Sequence, residues 1–344
     1  RFVDYTAVFT RVEDVRRVDA LAHSGTGEYV MPYWWDAFRA PSVSATTITG
    51  DGLTDYRDFQ VGEYVVLKKN LSFVALEITA VSTGSISATV PSEFQSGYVV
   101  VYPASKAQVT HSVDFITSHY ARMAVTAEFM GYQSPAPARL DTQLDDLDVF
   151  EHRPDQSSLD ADVTQMLERI DQGIGSVYLR DRAGRPMIDR QSSHKFYHDR
   201  AGLWAHRLWW HYLGGADKAF LAPTWVADLD VVGTDEGAGD TWLVGLSDDI
   251  GYNDNYNFKA GRNRIYLRTR EGNFPLTLTD ADDDFFGAGF TVLTFETEVP
   301  ILEEDEIIQT SWLESVRLDV DEVVINWHTT AVAEVDLSMR VVEV

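Results

Sequence analysis

Four histidines crowd the second half of this chain: His194, His198, His206 and His211. Imidazole serves as a metal ligand and as an acid–base group near neutral pH. His194-x-x-x-His198 lies in HKFYH, which reads as a strand running into a helix. On a strand that spacing puts both rings on one face, about 13 Å apart, too far for one metal ion. A zinc site needs three or four ligands, and no acidic third ligand sits at a recognised spacing. These histidines therefore read as polar surface and aromatic packing. Asp280–Asp284 (DADDD) opens like a calcium loop. That loop needs Gly at its sixth position and Glu at its twelfth. Phe285 and Thr291 stand there instead, so an acidic turn between strands is expected. Acid pairs such as those within Glu303, Glu304, Asp305 and Glu306 raise the possibility of glycoside cleavage, which needs two carboxyls about 5–10 Å apart across a cleft. With 54 acids in the chain, nothing selects one pair. The sequence holds no G-x-S-x-G elbow and no glycine-rich phosphate loop. The absence of cysteine excludes disulfides, thiolate metal sites and cysteine nucleophiles. The expectation is a chain with no catalytic, cofactor-binding or metal-ligating residue, and no enzyme.

Six tryptophans, Trp34, Trp35, Trp204, Trp209, Trp210 and Trp225, suggest a sugar-stacking platform. Packing accounts for them better. Two lie on a recurrent Pro-x-Trp, several others fall near helical spacing, and large aromatics dominate core and interface energetics. They are expected in the core or at a subunit interface.

The elements that must position these residues come in two similar runs. Arg11–His23 reads as a charged helix, followed by a Gly turn and EYVMPYWWDAF (Glu28–Phe38). Arg200–Leu213 reads as a second helix, capped by Asp199 and stopped at Gly214-Gly215, followed by AFLAPTWVADL (Ala219–Leu229). On it Trp204, Leu208 and His211/Tyr212 share a face. Pro32 and Trp34 line up with Pro223 and Trp225, and Asp36 and Asp228 follow. A fixed-order recurrence points to a duplicated module.

Each copy then turns to β. Tyr64–Leu67, Phe73–Val81, Ser85–Val90 and Tyr98–Tyr102 read as strands in the first. Thr241–Leu246, Arg264–Arg270, Phe274–Thr279, Phe290–Val299 and Val316–Val320 do so in the second. Arg122–Phe129 and Val332–Val342 alternate apolar and polar residues and close the two copies as half-buried antiparallel strands. Between the copies, Gln133–Arg139 is a proline-rich joint and Asp141–Asp148 an acidic stretch expected to be exposed. Ser158 caps an expected helix carrying Val163, Met166, Leu167 and Ile170 and ending at Gly173. Tyr178–Arg190 reads as a hairpin around Ala183-Gly184. The expected fold is mainly β: two tandem, related barrel or sandwich modules, each with one packed helix. Residues 1–132 form the first module, 133–190 a linker with a short helix and a hairpin, and 191–344 the second module.

Composition bounds the function. The chain has 344 residues, 44% apolar, with a net charge of −26. It can bury one or two large cores, and no apolar run reaches the ~20 residues of a membrane span. It begins at Arg1, without a secretory signal pattern, which points to a trimmed, processed or renumbered start. So acidic a surface repels nucleic acid, so stable DNA or RNA binding is not expected. The acids are 35 Asp and 19 Glu, and the bases 22 Arg and 6 Lys. They are dispersed, so self-repulsion weakens the fold unless salt screens it. A halophilic setting is expected, in which the melting midpoint rises steadily between about 0.1 M and 2 M NaCl. A midpoint unchanged by salt would exclude it.

Five short motifs stand in fixed order: Val30–Trp34 (VMPYW), Val101–Ala104 (VYPA), Arg153–Asp155 (RPD), Gly184–Pro186 (GRP) and Phe220–Leu229 (FLAPTWVADL). In this the chain resembles a family of tail-tip, distal-tail-like proteins of tailed viruses and prophages. The likeness covers about residues 10–232. Leu221-Ala222 departs from the family's usual Trp and aliphatic pair. The resemblance implies split β-barrels and a structural virion component of the tail tip or baseplate. It also implies assembly with itself as a trimeric or hexameric ring, between the tail tube protein and the hub or fibre proteins of the adsorption apparatus. It carries over no catalytic residue. Two further readings stand beside it. One is a carbohydrate- or receptor-binding module using the polar Ser247–Phe258 loop. The other is a β-fold glycoside hydrolase with two buried acids in one cleft.

Overall fold

The computed structural model describes residues 2–9, 13, 15–16, 27–117, 120–129, 136–155, 160–164, 167–170, 178–181, 187–229, 231, 233–237, 240–244, 263–283, 291–297 and 304–342. The fold is mainly β, as expected, with antiparallel sheets and one long helix, Arg200–Leu213. Asp199 caps that helix, its Oδ1 accepting the Gly202 amide at 2.7 Å. Gly214 and Gly215 stop it at φ +67° and +74°, a left-handed region that side chains resist. Gly215 is further constrained because a Cβ there would lie 2.6 Å from Asp321 Oδ1. Of the first expected helix, Glu13, Val15 and Arg16 are helical; the rest of Arg11–His23 lies outside the described residues. No helix among the described residues is long and apolar enough to cross a membrane.

Two local expectations are corrected. Where a helix over Ser158–Ile170 was expected, Asp160–Thr164 and Leu167–Ile170 are strands. Asp160, Asp162 and Thr164 are poor helix-interior residues, and ladder bonds to neighbouring strands outweigh a weak local propensity. The hairpin around Ala183-Gly184 is also replaced. Tyr178–Asp181 pairs with Leu167–Ile170, and Met187–Tyr197 pairs with Asp160–Thr164. Residues 171–177 and 182–186 lie outside the described residues.

The chain divides into two compact units. Unit 1 comprises Arg1–Pro135 with Asp199–Trp204 and Trp327–Val332; unit 2 comprises Ala136–His198, Ala205–Asn326 and Ala333–Val344. In unit 1 the main sheet runs Phe2–Phe9, Tyr120–Phe129, Val99–Thr117, Tyr64–Lys69, Ser72–Glu77. Its Val65, Leu67, Val99 and Val101 share a buried cluster with Val43, Ile48 and Ile86 of a four-stranded sheet. In unit 2 the sheet path includes Met187–Tyr197, Ala333–Val341, Ile307–Leu318, Arg264–Thr269, Asn273–Asp283 and Thr291–Phe295. Ile265, Leu267, Leu276, Leu293, Phe295 and Trp312 form its core.

The two main sheets follow the same path at the level of register. In unit 1, Phe9 pairs with Ala121, Ala107 with Phe129, Pro103 with Val65, and Val65 with Leu76. In unit 2, Tyr197 pairs with Ala333, Val316 with Val341, Trp312 with Ile265, and Ile265 with Leu276. In each, a short proline strand lies on the long central strand: Pro32 opposite Ala104, Pro223 opposite Leu313. The next amide then donates to the central strand, Tyr33 to Pro103 O at 2.8 Å and Thr224 to Trp312 O at 3.0 Å. The closing strands alternate as their sequences require. Ala121, Met123, Ala127 and Phe129 are buried in one, and Ala333, Val335, Leu337 and Met339 in the other.

Candidate functional site

Each proline strand delivers a Trp and then an Asp, and the two units use them differently. In unit 1 Trp34–Asp36 form a 3-10 turn that buries Trp35 and Asp36. Trp35 stacks between Tyr33, at 5.5 Å, and Trp327, at 6.0 Å. Tyr33 also meets the edge of Phe129 at 5.0 Å and donates its hydroxyl to Ser105 Oγ at 2.8 Å. Asp36 is fully buried and paired with Arg200. The same guanidinium donates to the carbonyls of Trp35, at 2.9 Å, Tyr56, at 3.1 Å, and Thr330. It also lies 5.8 Å from the Trp327 ring centre. Arg57 stands nearby and donates to Gly52 O and Asp55 O. Burial foremost, then the charge of Arg200, lowers the Arg57 pKa to about 10, against the opposing pull of Asp36 and Asp55. Arg200, the first residue of the helix, thus ties the Trp34–Asp36 turn to the segments around Tyr56 and Thr330 through its guanidinium.

In unit 2 the Trp225 backbone adopts φ +58°, an uncommon conformation for a bulky residue. Its ring packs edge-on against Tyr266 at 5.5 Å. Asp228 Oδ2 accepts from the Trp312 amide at 3.0 Å and from the Thr224 hydroxyl. The carboxylate therefore fixes the loop to the central strand.

A polar and aromatic cluster of unit 2 surrounds the helix from Ala205 onward. Leu203, His206, Trp209 and Leu213 are its deeply buried residues. The expected stripe of Trp204, Leu208 and His211/Tyr212 is only half-buried. Phe150 stacks on Trp209 at 5.0 Å, and Phe220 meets Trp209 edge-on at 4.9 Å. His206 Nδ1 lies 3.0 Å from the Tyr197 hydroxyl, and its ring is 6.2 Å from that of His152. Burial foremost, then His152, lowers the His206 pKa to about 3, so the ring is neutral at physiological pH. Asp148 corrects the expected exposure of 141–148: it is 2% exposed and accepts from Arg139 Nε at 2.7 Å, the Leu140 amide at 3.3 Å and Trp209 Nε1 at 3.0 Å. Glu151 accepts from Tyr266, at 3.1 Å, and from Thr142, at 2.5 Å. Burial, followed by the Glu151 charge and hydrogen bond, raises the Tyr266 pKa. These acids hold the 139–151 segment in place by accepting hydrogen bonds from it, from the helix and from the sheet. Asp148→Ala strands the Trp209 and Leu140 donors and is expected to cost about 2–4 kcal/mol. Urea unfolding measures it, and a loss below about 0.5 kcal/mol, the surface-substitution level, would remove Asp148 from this role.

The sequence candidates do not converge. His206 is buried, His211 half-buried and His198 exposed. His194 is placed only by its backbone, opposite Asp336. Among the described residues no group of three or more His, Cys, Asp or Glu gathers as metal ligands do. The expected acidic turn at 280–284 is corrected in part: Asp280–Asp283 end a strand paired with Thr291–Phe295, and Asp284 lies outside the described residues. Glu304–Glu306 form a 3-10 turn with Asp305 exposed; Glu303 and the whole Ser247–Phe258 loop lie outside the described residues. Of the tryptophans, Trp209, Trp35 and Trp225 are buried, Trp204 and Trp210 half-buried, and Trp34 exposed. Of the motif residues, Val101–Ala104 are buried in the central strand of unit 1, Phe220–Pro223 form a buried strand, and Asp155 Oδ2 accepts the Phe196 amide at 2.8 Å; Gly184–Pro186 lie outside the described residues. Sequence reasoning missed Arg200, Arg57, Asp148, His152 and Tyr197. Arg200 and Asp36 lie 164 positions apart and Asp148 and Trp209 lie 61 apart, so no local spacing marks these pairs. No protein-family model matches the chain, and no curated protein matches it.

Proposed function

We propose that the chain is an assembly-forming structural component of a viral tail tip or baseplate, linking the tail tube to the adsorption apparatus. One observation carries most weight: the same sheet path, with the same register, is built twice in one chain. That recurrence supports two tandem split-barrel modules. A subunit with two like modules suits a closed ring, with three copies presenting six modules to a six-fold tube. The buried acids described above hold strands, loops and the helix together, which suits a scaffold. The dispersed negative charge lets DNA pass without adhering.

Quantitative mass spectrometry of purified virions tests this. The expected result is the protein at three or six copies per tail. Its absence from virions, or a monomer at every concentration in sedimentation, would overturn the reading.

A further inference from the structure

The shared register allows the outer faces of the two main sheets to be compared residue by residue. In unit 2 this face carries Leu221, Trp225, Tyr266 and Leu313. The corresponding residues of unit 1, by strand pairing, are Val30, Trp34, Val66 and Ala104. In unit 2 the face is covered by a segment of the chain itself. Strands Gln143–Leu144 and Leu147–Asp148 form a hairpin whose Leu144 and Leu147, with Val149, pack on that cluster. Val149 bridges Leu221 in parallel, and Asp145 at the hairpin tip pairs with Arg264 at 2.7 Å. The covering segment, DTQLDDLDV, is acidic and aliphatic.

On unit 1 Val66, Tyr102 and Ala104 of this face are buried in a cluster of their own, while the aromatic residues around them are exposed. Trp34 is 39% exposed where Trp225 is 9% exposed; Phe73 is 51% and Tyr98 65% exposed. Trp34 meets Tyr102 at 4.9 Å and Phe73 at 6.3 Å, forming an aromatic shelf. Cations are set among these rings: Lys68 over Phe73 at 5.4 Å, Lys106 over Tyr64 at 5.9 Å and Arg39 over Tyr98 at 4.0 Å. Glu77, opposite Tyr64, and Glu28 and Glu128, opposite Gln108, share the face at the Lys106 end, so in a chain of net charge −26 the cationic end is that of Lys68 and Arg39, beside Phe73 and Tyr98. The flanking strand Ser72–Glu77 also ends its sheet among the described residues, whereas its counterpart Asn273–Asp283 pairs onward with Thr291–Phe295.

We infer that this outer face of unit 1 docks an acidic, aliphatic extended segment of a second copy of the chain, in the manner that residues 141–149 cover the matching face of unit 2. The inference rests on the assembly reading above and names its contact surface. Complementary charge selects an acidic occupant. The aromatic shelf supplies the central anchor, and the strand edge supplies main-chain hydrogen bonds.

The test uses the full chain in sedimentation velocity from about 1 to 100 µM, a range that brackets modest self-association. Three variants accompany it: Phe73→Ser, Lys68→Glu with Lys106→Glu, and all three changes together. These side chains are exposed or half-buried, and melting curves confirm that each variant folds. Photo-crosslinking from a benzoylphenylalanine at position 73 identifies the occupant. The expected result is concentration-dependent assembly of the parent, weakened on the order of 100-fold in the triple variant, and cross-links to an acidic segment of another copy. A parent that assembles while the triple variant assembles equally well overturns this inference and leaves the assembly reading standing. Cross-links to a non-acidic segment likewise overturn it. A parent that stays monomeric throughout overturns both.

Discussion

Asp36→Ala is expected to lower the stability of unit 1 by about 3–5 kcal/mol, the range for breaking a buried ion pair from one side. The reason lies in what remains. Arg200 keeps its carbonyl acceptors at Trp35, Tyr56 and Thr330 but loses its counter-charge, and Arg57 stands nearby. Two guanidinium groups then share a poorly hydrated site, with the Asp55 carboxylate left acting on Arg57. Arg200→Met should be nearly as damaging, because it leaves Asp36 charged in a fully buried position. The double variant is expected to be more stable than the sum of the single losses predicts, since neither orphan charge then survives. Urea unfolding of the four proteins supplies the cycle. Additive losses would show that the two groups do not act as a pair.

Acidification provides the second large effect. His206 has a pKa of about 3 in the folded chain and about 6.5 when unfolded. Above pH 6.5 both states are neutral and the group favours neither. Below it the unfolded chain binds a proton that the folded chain refuses, so stability falls with pH by about 1.4 kcal/mol per unit. The loss continues down to about pH 3, where it totals about 5 kcal/mol. His206→Phe retains an aromatic ring beside Trp209 and has no proton to bind. Between pH 4 and pH 6 its unfolding free energy should change with pH by close to one proton less than that of the parent. Identical slopes for parent and variant would show that His206 does not drive acid unfolding.

What the sequence reveals and what it hides follow from the range of the interactions. Strands with strict alternation, such as Tyr120–Phe129 and Ala333–Val341, were legible because burial on one face imposes a period of two. The recurrent Pro-x-Trp was legible because it is local, and the register shows it at matching places on two sheets. The 160–170 stretch was misread because its apolar spacing satisfies a helix stripe, while its actual bonds run to residues 178–192. The helix stripe was misplaced because His206 was counted as polar. Its burial becomes evident only when Tyr197, Phe150 and Trp209 surround it. Asp36 looked like one acid among many. Its partner lies 164 positions away, and no spacing rule reaches that far.

That long reach has a consequence for inheritance. Unit 1 is completed by Asp199–Trp204 and Trp327–Val332, which include Arg200 and Trp327. A gene truncated after residue 135 would encode Asp36 without its cation and Trp35 without one of its stacking partners. The two units share one sheet path, yet the first is completed by residues encoded well beyond it. Dividing the gene at residue 135 therefore divides the first unit itself.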